Sequence, residues 1–115
     1  MKNTVRIIAV LAVIMLVFAA CGGEEVATGD PIKIGGITSL SGALMDYGQQ
    51  MQRGFELGLE YATNGTMAVA GRPIEVIWED TTTVPEVARE RAIVLLDEDQ
   101  VDILVGPTSS ADAFA

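Results

Sequence analysis

Residues 32–62 read IKIGGITSLSGALMDYGQQMQRGFELGLEYA, and a change of period inside this stretch decides the fold class. Over Ile32–Thr38, Ile32 and Ile34 fall on one face with Lys33 opposite, the period of a strand. Ser39–Asp46 carries Ser41-Gly42 and reads as a loop. From about Leu44 to Ala62 the spacing turns helical. Met51, Phe55, Gly58/Leu59 and Ala62 recur every three or four residues, while Gln52, Arg53, Glu56 and Glu60 fall elsewhere. Gly54 and Gly58 form a GxxxG pattern. The charges around it rule out a membrane dimer, and the pattern reads as close packing of a helix on a sheet.

The same alternation continues downstream. Asn64-Gly65 ends the helix, and Thr66–Gly71 reads as a loop. Ile74–Trp78 (IEVIW) alternates again as a second strand. Thr81-Thr82-Thr83 offers helix caps, and Pro85 with Glu86 suits a first helical turn. Val84, Val87/Ala88, Ala92 and Leu95/Leu96 form the buried stripe expected of a second helix. Asp97, Glu98 and Asp99 crowd its C-terminal end, where the helix dipole disfavours them. Val101–Val105 (VDILV) is a third strand, followed by Gly106-Pro107-Thr108-Ser109-Ser110 and, over Ala111–Ala115, the start of a helix. Strand, helix, strand, helix, strand and incipient helix predict an α/β parallel sheet with right-handed crossovers. Two full helices on three strands leave one edge and part of a face bare, so the expectation is the front end of a longer protein.

Upstream of this domain lies a different kind of sequence. Lys2 and Arg6 are followed by an uninterrupted apolar run, Ile7–Ala20, ending in the small pair Ala19-Ala20. That order is the signature of a secretion signal. The run holds fourteen residues, short of the roughly 20 that span a bilayer. Residues 1–20 are thus read as an exported lipoprotein's signal peptide. Residues 21–30, with Gly22–Asp30 as GGEEVATGD, form a flexible tether, and 31–115 form the folded part. Phe18-Ala19-Ala20-Cys21 resembles a lipobox, in which Cys21 carries the lipid. Phe18 stands where an aliphatic residue is usual. The alternative is an ordinary signal peptide cleaved nearby, leaving Cys21 as a free thiol.

Charge and composition exclude several function classes. All sixteen Asp/Glu lie after Cys21, against five Lys/Arg there, a formal net charge of −11. Such a chain repels nucleic acid and anionic lipid. There is no histidine, the commonest general base and metal ligand. Gly35-Gly36 follows a strand without completing G-x-G-x-x-G, and no phosphate-binding P-loop is present. Ser109 and Ser110 follow a strand without a G-x-S-x-G elbow. Glu79-Asp80 reads as a solvated strand end or helix cap, with half of a metal or acid/base site as its alternative. No cofactor and no metal site are expected. In an open parallel sheet, ligands sit beyond the carboxyl ends of the strands where the strand order reverses. With strand order 2-1-3, the flanking loops are Ser39–Gly48 and Gly106–Ser110, where Ser39, Ser41, Tyr47, Thr108, Ser109 and Ser110 gather.

Ile32–Gly48 (IKIGGITSLSGALMDYG) resembles the opening strand and first loop of bacterial solute-binding proteins of branched-chain amino-acid ABC transporters. Ala70–Asp80 (AGRPIEVIWED) looks like that family's second strand, and Val101–Ser110 (VDILVGPTSS) like its third strand and following loop. The resemblance implies the type I periplasmic-binding fold, a three-layer α/β parallel-sheet lobe of which only the first part of lobe 1 is present. It implies a leucine-binding-protein-like, non-enzymatic receptor outside the cytoplasmic membrane, capturing an amino acid or similar small molecule and delivering it to a membrane permease. It also implies that Ser109 binds the ligand's α-carboxylate with help from the Ser110 amide, and that Tyr47 lines the side-chain pocket. A capping role for Ser109 and a half-buried place at the helix start for Tyr47 remain the alternatives. Met45 departs from the small residue common there. Thr82 and Thr108 stand where some members carry a cysteine pair. A sensor domain of the same fold without transport, and a lipid-anchored enzyme, are the other function classes.

Overall fold

The computed structural model describes residues 27–115. The leader Met1–Ala20, Cys21 and the first part of the tether lie outside the described residues. The elements are β1 (Ile32–Thr38), α1 (Met45–Ala62), β2 (Ala68–Val69), β3 (Arg72–Asp80), α2 (Pro85–Ile93), β4 (Ile103–Val105) and α3 (Ser110–Ala113). A single π-helical turn, Val94–Glu98, prolongs α2.

The sheet order is β2-β3-β1-β4. β1 runs parallel to β3 from Ile32↔Ile74 to Thr38↔Asp80, and parallel to β4 from Ile34↔Ile103 to Gly36↔Val105. The three principal strands thus stand in the 2-1-3 order, the arrangement in which the loops after β1 and β4 flank a crevice. A central parallel strand is covered on both faces, and Ile34–Thr38 is buried without interruption.

Alternation along β1 sends successive residues to opposite layers. Ile37 joins Ala88 and Leu95 in the core cluster, with Ile77, Ala92 and Val101 packed against it. Gly35 shares that face, since a Cβ there would meet Leu95 and Val101. On the other face the Trp78 indole lies over Gly36, leaving no room for a side chain at that position. Phe55 of α1 meets Trp78 edge-on, with ring centroids 5.7 Å apart at 88°. Edge-to-face contact is the favoured geometry for two quadrupoles. The helices α1 and α2 therefore cover opposite faces, giving three layers.

Three local expectations change. The GxxxG glycines do not pack on the sheet: Gly54 and Gly58 are exposed, with open space where a Cβ would stand. The inward face of α1 instead runs through Gly48, Met51, Phe55 and Leu59. Gly48 is its point of closest approach, because a Cβ there would strike the Ser39 backbone. In α2 the buried stripe narrows: Leu95, seven residues after Ala88 and so on the same helical face, is wholly buried, while Leu96 faces out. The segment 66–71, read as a loop, holds β2, which pairs antiparallel to β3 through Ala68↔Pro73 and Val69↔Arg72.

Two further ties bear on the boundaries. The Lys33 ammonium donates to the Asp99 carbonyl at 2.9 Å. A cation at the end of α2 and its π turn offsets the acidic run that crowds it. The last residues of the tether region are held in place: the Gly29 amide donates to the Gly71 carbonyl at 3.1 Å. Arg72 Nε and Nη2 donate to the carbonyls of Asp30 and Pro31 at 2.8 and 3.1 Å.

Candidate functional site

β1, β3 and β4 are parallel, so their carboxyl ends share one edge of the sheet. The chain leaves that edge through residues 39–44, 81–84 and 106–109. Hydroxyls join these three segments. Thr38 Oγ1 and Thr108 Oγ1 are 3.1 Å apart, linking the ends of β1 and β4. Ser39 Oγ and Thr81 Oγ1, both in buried residues, are also 3.1 Å apart and link β1 to β3. Buried hydroxyls need such partners, because an unpaired one forfeits the hydrogen bond it made with water.

Asp80, the last residue of β3, organises the first of the loops. Its Oδ1 accepts the amides of Leu40 at 2.8 Å, Ser41 at 3.1 Å and Thr82 at 2.8 Å. Its Oδ2 accepts the Ser41 hydroxyl at 2.6 Å. Burial pushes its carboxyl up, but the Ser41 hydroxyl and the amides of Thr82, Ser41 and Leu40 outweigh it, holding the group below its usual range. Each of those bonds favours the charged form. Thr83 adds a second tie: its Oγ1 accepts from the Leu44 amide at 3.1 Å and donates to the Ser41 carbonyl at 3.3 Å.

The threonines read as caps of α2 therefore serve the loops instead. Val84 is the N-cap residue of α2 and makes no side-chain cap bond. Thr81 Oγ1 accepts from the Thr83 amide at 3.2 Å, and Thr82 and Thr83 both adopt positive φ. Of the Glu79-Asp80 pair, only Asp80 turns toward the loop. Glu79 instead meets Arg91 at 3.4 Å. Among the described residues no group of His, Cys, Asp and Glu could hold a metal ion.

The proposed ligand residues occupy distinct settings. Ser109 is buried at the start of α3, and its Oγ accepts from the Asp112 amide at 3.3 Å. That is an N-cap bond, with Ser109 in extended backbone conformation. It uses one lone pair of the hydroxyl and leaves the O–H free to donate. Ser110 is the first residue of α3 and is exposed. Tyr47 lies in the first turn of α1 and is 66% exposed. The loops after β1 and β4 thus leave adjacent strands at the same edge. Asp80 is the residue whose role sequence reasoning missed. An acidic residue closing a strand before a threonine run is the signal for an Asx-type turn, here formed with Thr82.

The profile of the family described as periplasmic binding protein matches residues 31–115. An ABC-type branched-chain amino acid transporter protein from Rhodopseudomonas palustris is 39% identical with a TM-score of 0.70, over 71% of this chain and 22% of that one. The branched-chain amino acid transporter substrate-binding protein of Streptococcus pneumoniae, solved with isoleucine, is 30% identical with a TM-score of 0.67, over 72% and 24%. A solute-binding protein of R. palustris in complex with benzoate is 27% identical with a TM-score of 0.66, over 74% and 23%. The chain spans about a quarter or less of the length of these proteins. No curated protein sequence matches it.

Proposed function

The chain belongs to the periplasmic binding protein family, and from that premise we propose that it is the front part of an extracytoplasmic solute receptor serving an ABC importer. The whole receptor has two lobes that close on a small ligand, an amino acid or a related small carboxylate or amide, and the closed form delivers it to a membrane permease. The single observation that carries this reading is the meeting of the β1 and β4 loops at one sheet edge. The central strand there has neighbours on both sides, the crevice in which parallel α/β sheets take their ligands. Relatives solved with isoleucine and with benzoate support a carboxylate-bearing solute.

Within this site Ser109 donates its free O–H to the ligand carboxylate while its oxygen continues to cap α3. The Ser110 amide adds a second donor, and Tyr47 supplies an amphipathic wall. Upstream, Met1–Ala20 directs export, and the lipid on Cys21 keeps the receptor beside its permease. Two or more acyl chains hold a protein at a bilayer stably where one does not.

The test is a thermal-shift panel on the full-length protein with isoleucine, leucine, benzoate and their amides. Binding to the folded state alone raises the melting temperature. At a concentration about 100-fold above the dissociation constant, the gain is about 2.7 kcal/mol. A flat response across the panel at millimolar concentration overturns the reading. Lipidation has its own readout: intact-mass analysis of the mature protein should find acyl chains on Cys21, and Cys21→Ser should release the protein from membranes.

A further inference from the structure

The sequence presents Asp80 as an acidic strand end, and nothing in the proposed ligand set includes it. Yet four donors converge on this one carboxylate, and three of them come from the loop between β1 and α1. The Leu40 amide, the Ser41 amide and the Ser41 hydroxyl all end on Asp80, as does the Thr82 amide. We propose that Asp80 is the positioning residue of the ligand site, fixing the β1–α1 loop, and with it the first turn of α1 that carries Tyr47, against the carboxyl edge of the sheet.

The geometry leaves the loop few other means of holding this position. Apart from Asp80, the loop backbone has the Leu40–Thr38, Met45–Gly42 and Gly48–Leu44 bonds, which are local, and the Ser39–Thr81 hydroxyl contact holds the loop only at its first residue. The Thr83 hydroxyl spans to Ser41 and Leu44, but it sits on a residue at positive φ in the same turn that Asp80 fastens through Thr82. Asp80 is therefore the charged common anchor of two turns that are otherwise joined only through the hydroxyls of Thr83 and of the Ser39–Thr81 pair. Charge-assisted bonds are shorter and stronger than neutral ones, which suits a carboxylate here over an amide. Glu79 on the same strand is engaged by Arg91 and cannot substitute.

The inference rests on reading this loop as a wall of the solute site, so the experiment separates the two. Hydrogen–deuterium exchange is measured on the full-length protein without ligand, comparing wild type with Asp80→Ala, Asp80→Asn and Ser41→Ala. Exchange of the segment 39–44 should rise at least about tenfold in Asp80→Ala, while the β1 segment 32–37 stays within about twofold. Asp80→Asn, which keeps an acceptor oxygen for the amides, should fall between Ala and wild type. Calorimetric titration with isoleucine and benzoate should then show affinity weakened about tenfold or more in the same rank order, as loss of bonds to a charged group implies.

Unchanged protection of segment 39–44 in a folded Asp80→Ala protein overturns the assignment. Should Asp80→Ala lose protection everywhere, Ser41→Ala decides, because it removes only the Oδ2 bond. Selective loosening of 39–44 in that variant supports the assignment, and its absence overturns it. Loosening of the loop with undiminished affinity for a bound probe also overturns it, showing a stabilising bond without a positioning role. Failure of wild type to bind either probe counts against the solute reading alone, since the exchange comparison is made without ligand.

Discussion

Asp80 and Ser109 show how one polar side chain shapes the candidate site. The carboxyl of Asp80 is held below its usual value by the Ser41 hydroxyl and three amides, despite the burial that raises it. Its folded value thus lies below the unfolded value of about 3.9, so its stabilisation is complete above that pH and is lost as pH falls through the folded value. Acid unfolding of the full-length protein, followed by circular dichroism below pH 5, should therefore steepen less in Asp80→Asn than in wild type. Ser109→Ala removes both the bond to the Asp112 amide and the proposed ligand donor. It should cost about 1 kcal/mol of stability as a lost cap, read by urea titration, and weaken a carboxylate ligand besides. An unchanged affinity with the stability loss intact would leave Ser109 as a cap alone. At this scale the sequence was partly legible. Ser109 stood out through the family resemblance and its capping place before α3, whereas Asp80 hid because three of its four donors lie some forty residues away in sequence.

The elements follow local rules except where tertiary packing overrides them. β1, α1 and β3 match their expected places because their periods are long enough to read: Ile32–Thr38, Met45–Ala62 and Arg72–Asp80. The β2–β3 hairpin was not legible. Its two-residue strand is too short to show a period, and its turn uses Ala70-Gly71, both at positive φ. Asn-Gly or Asp-Gly usually announces such a turn, because alanine is strained at positive φ. The GxxxG of α1 misled for the opposite reason. Spacing names two glycines on one face but not which face meets the sheet, and the close contact falls nearer the start of the helix, at Gly48. Gly48→Ala places a methyl group against the Ser39 backbone. The variant should lose about 1–3 kcal/mol by denaturant titration, whereas Gly54→Ala, with open space around it, should be neutral or slightly stabilising. Leu95→Ala empties a wholly buried position of the core beside Ile37 and Ala88, and about 2–5 kcal/mol should be lost.

Across the whole described region, three parallel strands and two covering helices leave β4 at an edge with Ile103 and Leu104 exposed. Phe114, Leu96 and Ile93 add to the uncovered apolar surface. Residues 31–115 expressed alone should therefore aggregate or melt without cooperativity, since exposed strand edges template association. A sharp two-state calorimetric transition of that piece would contradict this. The α/β class was readable because alternating strand and helix periods admit few arrangements, of which the 2-1-3 order is one, while the loop staples depended on contacts distant in sequence. β1 is the first strand among the described residues, yet Ile34 pairs with Val76 on one side and Ile103 on the other. The central strand finds its first neighbour only after one long segment has closed and its second only after a longer one, and such closure slows folding. A ribosome thus releases this sequence as an open chain that stays threadable for a time, the state in which a polypeptide bearing the proposed leader must pass through a membrane channel.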